Sequence, residues 1–253
     1  MRAALFAVTP VTMFSSSIVM SDTAIPVKGG DLPVFVATPE QGGPWPGVVV
    51  LHDVGGLKED IRNQARWLAR EGFLAAAPNL YFRCNRMKCL FAIARDLKAR
   101  SGSTYDDVEA VRRWLVQNEG CTGKIGVIGF CMGGGIALLL APDFGFEAAS
   151  VNYGGQLPED ADSFLARACP IVGSYGAKDY WNLGVAQRLE QTLTTASIAH
   201  DVKEYPEAGH SFLNNPGTWW FKALRVIHIG YDEAAAEDAR SRIVAFFRKH
   251  LRA

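Results

Sequence analysis

A cysteine enclosed by glycines is the residue of this chain with the clearest chemical potential. Cys131 follows the apolar run IGVIGF (125–130) and precedes three consecutive glycines and an Ala/Leu segment. Gly-x-Cys-x-Gly between a strand and a helix is typical of a nucleophile elbow, a sharp turn that exposes its central side chain. Glycines suit such a turn because bulky neighbours would obstruct it. The alternative is an inert, buried cysteine at a glycine-rich strand end.

An aspartate and a histidine follow the cysteine in the chain order that a nucleophile elbow requires. Asp179 ends the segment PIVGSYGAKD (170–179), and His210 comes shortly after VKEYP (202–206). Both lie just past expected strands, at the sheet edge where Cys131 is expected. Each residue alone is more typical of a solvated loop, but together they predict acid–base activation of the cysteine.

The same turn would supply hydrogen-bond donors for a developing oxyanion. Met132 follows the nucleophile directly, and VLHDVGG (50–56) ends an early strand, where the second donor of such a site is expected. We therefore predict the backbone N–H groups of Met132 and Val54 as the two donors. The helix N-terminus beneath Cys131 would favour thiolate over thiol.

Composition and spacing exclude several other classes of function. The glycine run lacks Gly-Lys-Ser/Thr and has the wrong spacing for a dinucleotide-binding turn. The 5 cysteines contain no Cys-x-x-Cys pair for zinc, and their odd number argues against a complete disulfide framework. With 26 basic and 26 acidic residues and no charged block, neither nucleic acid nor a membrane is favoured as partner. We expect a soluble protein with reduced thiols.

The elements that must position these residues alternate between apolar runs and segments of helical period. Apolar strands alternating with helices indicate an α/β fold, with a mainly parallel central sheet covered by helices on both faces. The segment VKGGDLPVFVATP (27–39) alternates and predicts an antiparallel N-terminal edge. Strands are predicted near 46–53, 72–80, 124–130, 147–152, 170–175 and 199–205, and helices near 61–68, 103–115, 132–142, 183–195 and 232–251.

Local signals set the expected boundaries. Ser103 and Thr104, each with an aspartate three residues on, predict capping boxes for the helix that follows. Residues 1–20 are interpreted as a disordered or dispensable extension, because Pro10 interrupts the apolar run and no clear cleavage site follows. Residues 21–253 are expected to form a single domain.

Five segments together resemble the dienelactone hydrolase family of the α/β-hydrolase fold. They are HDVGGL (52–57), PNLYFR (78–83), GFCMGG (129–134), GAKD (176–179) and EAGHSF (207–212). The resemblance covers nearly the whole chain from about residue 25. It implies a Cys131–Asp179–His210 triad that works without metal or organic cofactor. It also implies a monomeric cytoplasmic enzyme that hydrolyses small carboxylic esters or lactones through a thioester, with that small molecule as its partner.

Two departures from the family pattern concern ionisation and substrate. Where the family has a glutamate that helps control the cysteine's ionisation, this chain has Asp53, whose alternative role is to cap the loop. Dienelactone-cleaving members have an arginine shortly after the catalytic histidine, whereas this chain has Leu213 and Asn214. We therefore expect a small ester or lactone other than dienelactone itself.

Candidate substrate contacts surround these segments. Arg83 lies after PNLY, with Arg86 and Lys88 nearby, and could supply positive charge if it is not simply solvated. Trp181 and Phe212 follow the two triad partners. The aromatic segment 214–232 either covers the site or packs on the sheet edge. His200, His228 and His250 fit no catalytic pattern and are interpreted as structural or solvated.

Two other classes of function stay open at this stage. One is a ligand-binding or sensor protein that keeps the fold without turnover. The other is a thiol-redox protein in which Cys131 is oxidised and Cys84 or Cys89 resolves it.

Overall fold

The computed structural model describes residues 17–215, 217 and 227–252. Strands and helices alternate along most of this range, as the apolar runs predicted. The strands are β1 (Ile18–Val27), β2 (Gly30–Pro39), β3 (Trp45–Leu51), β4 (Leu74–Pro78), β5 (Cys121–Phe130), β6 (Ala148–Asn152), β7 (Ile171–Gly176) and β8 (His200–Tyr205). The helices are α1 (Glu59–Arg70), α2 (Arg86–Ala99), α3 (Ser103–Gln117), α4 (Met132–Leu140), α5 (Ala161–Phe164), α6 (Val185–Thr195) and α7 (Glu233–His250).

The described strands form one sheet in the order β1-β2-β4-β3-β5-β6-β7-β8. β1 pairs with β2, and β2 with β4, in antiparallel fashion. The remaining neighbours are parallel. The predicted mainly parallel sheet with an antiparallel N-terminal edge is therefore confirmed.

Two hydrophobic layers cover the two faces of this sheet. In β3, Val48 and Val50 face the layer that contains α1 and α7, whereas Val49 and Leu51 face the layer that contains α3, α4 and α6. All four side chains are fully buried. Because successive strand residues point to opposite faces, a strand covered on both sides must be apolar throughout. This explains the unbroken apolar run.

The N-terminal boundary of the domain differs from the prediction. β1 begins at Ile18, so residues 18–20, which were assigned to the extension, belong to the sheet. Residues 1–16 lie outside the described residues, and their interpretation as an extension stays a prediction. No helix in the described part of the chain is long and apolar enough to cross a membrane.

The capping-box prediction for α3 is wrong. Its N-cap is Gly102, which makes no side-chain cap. Instead, the buried carboxylate of Asp96 in α2 accepts hydrogen bonds from the backbone N–H and the hydroxyl of Thr104, at 3.0 and 2.9 Å. An acidic side chain from the preceding helix thus satisfies a donor at the start of α3, which local spacing could not predict.

The prediction of reduced thiols is also wrong for one pair. Cys84 and Cys89 form a disulfide across the start of α2, a helix that occupies part of the expected loop after PNLY. The helix begins at Arg86 because the Asn85 side chain accepts a hydrogen bond from the Lys88 N–H at 3.1 Å. The free cysteines are Cys121, Cys131 and Cys169.

Candidate active site

The carboxyl ends of four parallel strands bring the sequence-predicted residues to one edge of the sheet. Val54 follows β3, Cys131 follows β5, Asp179 follows β7 and His210 follows β8. Parallel strands end at the same edge, which is where open α/β sheets build their binding sites. The topology therefore gathers residues that are far apart in the sequence.

Cys131 occupies a strained turn between β5 and α4. Its backbone angles are φ 53° and ψ −115°, a conformation that non-glycine residues rarely adopt. A Cβ atom on Gly129 would lie 1.9 Å from the Gly133 carbonyl oxygen, and one on Gly133 would lie 2.4 Å from the Leu51 carbonyl oxygen. The flanking glycines are required because backbone segments approach each other closely around the half-buried thiol.

His210 bridges the cysteine and the aspartate. Its Nδ1 lies 2.7 Å from Asp179 Oδ2, and the Cys131 side chain is near enough to raise the pKa of the imidazole. Burial lowers the pKa of His210, but the hydrogen bonds and charges of Asp179 and Cys131 outweigh it and raise this pKa to about 9. The arrangement therefore favours an imidazolium at neutral pH.

Asp179 is itself held by two donors. The Asn182 side-chain amide donates to Oδ2 at 2.5 Å, and the Trp181 backbone N–H donates to Oδ1 at 3.1 Å. These bonds fix the buried carboxylate towards His210. Asn182 was not predicted as a site residue, although its position three residues after Asp179 places it on the same turn.

Backbone hydrogen bonds fix the histidine loop from the other side. The His210 N–H donates to the His228 carbonyl at 2.8 Å, and the Gly230 N–H donates to the His210 carbonyl at 2.9 Å. A Cβ atom on Gly209 would lie 1.8 Å from the His228 carbonyl oxygen. The segment that returns to α7 thus packs directly against His210, through backbone atoms.

His200 and His250 make contacts away from these residues. His200 stands at the start of β8, the opposite edge of the sheet, and its Nε2 lies 3.2 Å from the Glu190 carboxylate. His250 is the last residue of α7 and packs beside the Phe246 ring. These contacts agree with a structural or solvated role.

A buried histidine organises the loop that carries Val54. His52 Nδ1 lies 2.7 Å from the Asp53 carbonyl oxygen, and its Nε2 accepts a hydrogen bond from the Leu80 N–H at 3.1 Å. Burial lowers the pKa of His52 to about 4, so the ring is neutral and its Nδ1–H donates. It therefore links the loops that follow β3 and β4.

Tyr81 joins the two predicted oxyanion donors. Its hydroxyl donates to the Val54 carbonyl at 3.2 Å and lies 3.8 Å from the Met132 sulfur. Burial raises the pKa of Tyr81 to about 12, so the phenol stays protonated. Met132 is the first residue of α4, so its N–H has no acceptor within the helix. Tyr81 was quoted only as part of PNLYFR, and nothing in the sequence indicated this bridging position.

Asp53 lies in the same loop and is engaged locally. Its Oδ1 accepts a hydrogen bond from the Gly55 N–H at 2.6 Å, which is the loop-capping contact considered as an alternative. Burial raises the pKa of its carboxyl group above the usual value. A role in controlling the ionisation of Cys131 stays a prediction.

Two predicted substrate contacts are corrected by the structure. Phe212 is fully buried and packs between the rings of Tyr153 and Tyr205, at centroid distances of 5.5 and 5.0 Å. The Arg83 guanidinium pairs with the buried Asp107 carboxylate, one N–O distance being 2.7 Å, and donates to a backbone carbonyl. Both side chains are therefore occupied by contacts within the fold.

Trp181 does lie beside the candidate site. Its ring is 60% exposed, and its centroid lies 5.0 Å from that of His210 in an edge-on arrangement. The neighbouring Tyr180 and Leu183 are also exposed, so this loop presents apolar surface next to the imidazole. Trp219 and Trp220, the predicted lid or pocket wall, lie outside the described residues.

No metal-binding cluster accompanies these residues. Within the part of the chain that the structure describes, no group of three or more His, Cys, Asp or Glu side chains is arranged to hold a metal ion. The groups that the described residues place at this edge include a thiol, an imidazole, a carboxylate and backbone N–H groups.

The elbow, the His–Asp pair and the sheet order correspond to a known family. The family model described as "Dienelactone hydrolase family" matches residues 32–251. The chain belongs to the dienelactone hydrolase family. Membership makes it a hydrolase of the carboxylic-ester class with the α/β-hydrolase type of fold, as the resemblance in the sequence implied.

Relatives and solved structures agree with this assignment. The chain is 31% identical to a Yersinia pestis protein named "Putative carboxymethylenebutenolidase", with 90% of this chain and 88% of the relative covered. It is 28% identical to the Rhodococcus opacus "Carboxymethylenebutenolidase", with 81% of each covered. A crystal structure titled "Putative Dienelactone Hydrolase" from Klebsiella pneumoniae has a TM-score of 0.75 and 29% identity, and covers 92% of this chain and 99% of its own.

Proposed function

We propose that this dienelactone hydrolase family member hydrolyses small carboxylic esters or lactones through a thioester on Cys131. The observation that supports this most strongly is the position of His210, which is hydrogen-bonded to Asp179 and near enough to the elbow cysteine for its pKa to be raised by it. In this proposal His210 is the proton carrier, Asp179 orients it, and Cys131 is the nucleophile.

The first half of the reaction forms the thioester. The Cys131 thiolate attacks the carbonyl carbon, and the oxyanion accepts hydrogen bonds from the N–H groups of Met132 and Val54. Each such donor is worth roughly 3–4 kcal/mol in comparable sites. His210 gives its proton to the departing alkoxide oxygen, so the alcohol leaves neutral. In a lactone this oxygen stays attached to the acyl group.

The second half releases the acid. Once acylated, Cys131 no longer carries the negative charge that supports the imidazolium, so His210 becomes a better base. It removes a proton from water, and the hydroxide attacks the thioester carbonyl. The carbon–sulfur bond breaks, the acid is released, and the resting pair of Cys131 and His210 is restored.

The exposed aromatic loop bears on the substrate class. Trp181 presents an apolar ring edge beside His210, suited to an apolar part of a small ester or lactone. Arg83 pairs with Asp107, and the buried Leu213 and Asn214 stand where dienelactone-cleaving members have an arginine after the histidine. These contacts support the proposal that a substrate other than dienelactone is preferred.

The alternatives with other chemistry are less well supported. The redox function needs a resolving thiol, but Cys84 and Cys89 are bonded to each other. The sensor function explains neither the strained elbow nor the paired His210 and Asp179. The sensor function predicts a ligand that binds without being converted. Measured turnover of that ligand would exclude it.

A kinetic comparison tests the proposal. Steady-state hydrolysis of p-nitrophenyl acetate, and of a panel of small lactones, would be compared for the wild type, Cys131→Ala and Cys169→Ala. Cys169 is the matched control, since burial raises the pKa of its thiol to about 12. We expect loss of activity in Cys131→Ala alone. Equal rates in the wild type and Cys131→Ala would sink the proposed mechanism.

The proposed cytoplasmic, monomeric state can be tested separately. Cytoplasmic thiols are normally kept reduced, whereas Cys84 and Cys89 form a disulfide here. A cytoplasmic location therefore predicts that rapid alkylation in lysed cells labels both cysteines. Labelling of neither would place the protein in an oxidising compartment. Sedimentation of the purified protein would test the monomer.

A further inference from the structure

A buried chain of hydrogen bonds leads from α1 to the candidate site. The Asp60 carboxylate accepts hydrogen bonds from the Asn214 side-chain amide and, at 2.8 Å, from the Asn215 N–H. The Tyr153 hydroxyl donates to Asn214 Oδ1. The side chains of Asp60, Asn214 and Tyr153 are all buried. Three elements that follow different strands are therefore joined inside the protein.

Tyr153 connects this chain of hydrogen bonds to the His–Asp pair. It contacts His210 directly and reaches Asp179 through Asn182. Its ring meets the His210 imidazole edge-on, with centroids 5.3 Å apart. Its backbone carbonyl accepts a hydrogen bond, at 3.3 Å, from the same Asn182 amide that donates to Asp179. The tyrosine adopts φ 42°, so surrounding contacts hold it in a costly conformation.

Each hydrogen bond in this chain is donated towards Asp60. The Tyr153 hydroxyl donates to Asn214, and Asn214 and Asn215 donate to Asp60, so the carboxylate receives hydrogen bonds without needing a proton. Burial raises the pKa of Asp60, and these two bonds act against that rise. A directed chain of this kind fixes the position of every member.

Packing alone does not account for the tyrosine. A phenylalanine would fill the same volume, and a buried hydroxyl is unfavourable unless it is hydrogen-bonded. Tyr175 in β7 is equally buried, yet its hydroxyl has no hydrogen-bond partner among the described residues. Tyr153 and Tyr175 thus differ in whether the buried hydroxyl is hydrogen-bonded, so Tyr175 is a suitable control.

We propose that Tyr153, held by Asn214 and Asp60, is a positioning residue that keeps His210 between Asp179 and Cys131. This inference rests on the proposed function of the triad. It also gives Asn214, one of the two residues that stand where the family's substrate-binding arginine is expected, a structural role inside the protein. Through Asp60 the same chain connects the histidine loop to the helix that follows the Val54 loop.

Tyr153→Phe and Asn214→Leu test this proposal, with Tyr175→Phe as control. We expect kcat for p-nitrophenyl acetate to fall about tenfold in the first two variants, with KM nearly unchanged, because a small misplacement of the base slows reaction more than binding. The double variant should be no slower than the worse single variant, since both changes break one chain.

A pH titration of the His210 imidazole, followed by NMR of its ring protons and assigned by their absence in His210→Asn, gives a second readout that needs no ester. The ionisable side chains that contact His210 in the described residues are Cys131, Asp179 and Tyr153. If His210 drifts from Asp179 and Cys131, its pKa should fall from about 9 towards 6.5. A loss of stability elsewhere would not cause this shift.

The outcomes separate the two proposals. An unchanged kcat and an unchanged pKa of His210 in folded Tyr153→Phe would overturn the positioning role, as would equal losses in Tyr175→Phe. If Asn214→Leu does not fold, Tyr153→Phe decides alone. Full esterase activity in Cys131→Ala would instead overturn the proposed function, while the His210 titration would still report whether Tyr153 positions His210.

Discussion

Two histidines that follow strands at the carboxyl edge of the sheet have opposite properties. His52, after β3, uses both ring nitrogens on backbone groups, and burial lowers its pKa to about 4. His210, after β8, is near Asp179 and Cys131, which raise its pKa to about 9 against the effect of burial. His52 is fully buried and His210 is partly buried, but the opposite directions of the two pKa shifts come from their partners.

This difference shows what makes a histidine suitable for proton transfer. Backbone carbonyl and N–H groups satisfy the neutral ring of His52 and fix one tautomer, so it serves as a loop anchor. A carboxylate and a thiol give His210 a charged form with partners on both sides. In the proposed mechanism the loop of His52 holds an oxyanion donor, whereas His210 carries the proton.

Removing the imidazole of His210 should have the largest effect. We expect His210→Ala to lower kcat/KM for p-nitrophenyl acetate by about a thousandfold or more, because both proton transfers are lost. His200→Ala is the matched control, since His200 lies at the opposite edge of the sheet and pairs with Glu190. Retention of more than a tenth of the activity in His210→Ala would contradict the assignment of proton transfer to His210.

His52 and His210 should change the free energy of unfolding in opposite directions as the pH rises. His210 has a raised folded-state pKa, so its contribution is complete below pH 6.5 and is lost between about 6.5 and 9. His52 has a lowered pKa, so its contribution is complete above pH 6.5 and is lost as pH falls towards 4. Each limb should amount to about 3 kcal/mol in the free energy of unfolding.

Urea unfolding across this pH range would measure the two limbs. His210→Asn should flatten the alkaline limb alone, and His52→Asn the acidic limb alone. If His210→Asn leaves the alkaline limb intact, the raised pKa of His210 is not its source.

Replacing His52 should have the smallest effect on activity. His52→Phe leaves the Leu80 N–H and the Asp53 carbonyl without their ring partner, at a cost of about 1–3 kcal/mol for each buried group. We expect kcat to fall only about tenfold, through a looser Val54 loop. The pKa of His210 should stay at the wild-type value. A shift of that pKa would mean that the two loops are not independent.

The gathering of Cys131, Asp179 and His210 at one edge of the sheet could be predicted from the sequence because its information is local. Each apolar run marks a strand, parallel strands end at one edge, and the residue that follows each end is then placed. Glycines around Cys131 indicated the close backbone contacts that the structure shows. Strand positions could be predicted for the same reason, whereas the order of the strands in the sheet was not predicted.

The substrate side could not be predicted in this way. Whether Arg83 faces a substrate depends on Asp107, which lies on α3, a helix that packs nearby only in the folded chain. The burial of Phe212 follows from two tyrosines on other strands. The Cys84–Cys89 pairing depends on the conformation at the start of α2. Each of these contacts is a property of the tertiary structure.

The central claim is that Cys131 forms the covalent intermediate. Rapid acid quenching of the enzyme during its first turnovers of p-nitrophenyl acetate, followed by peptide mass spectrometry, tests it most directly. The account predicts one acetyl group on the peptide that contains Cys131, absent from the Cys131→Ala variant. Acetyl on another residue, or undiminished turnover by Cys131→Ala without any adduct, would contradict it.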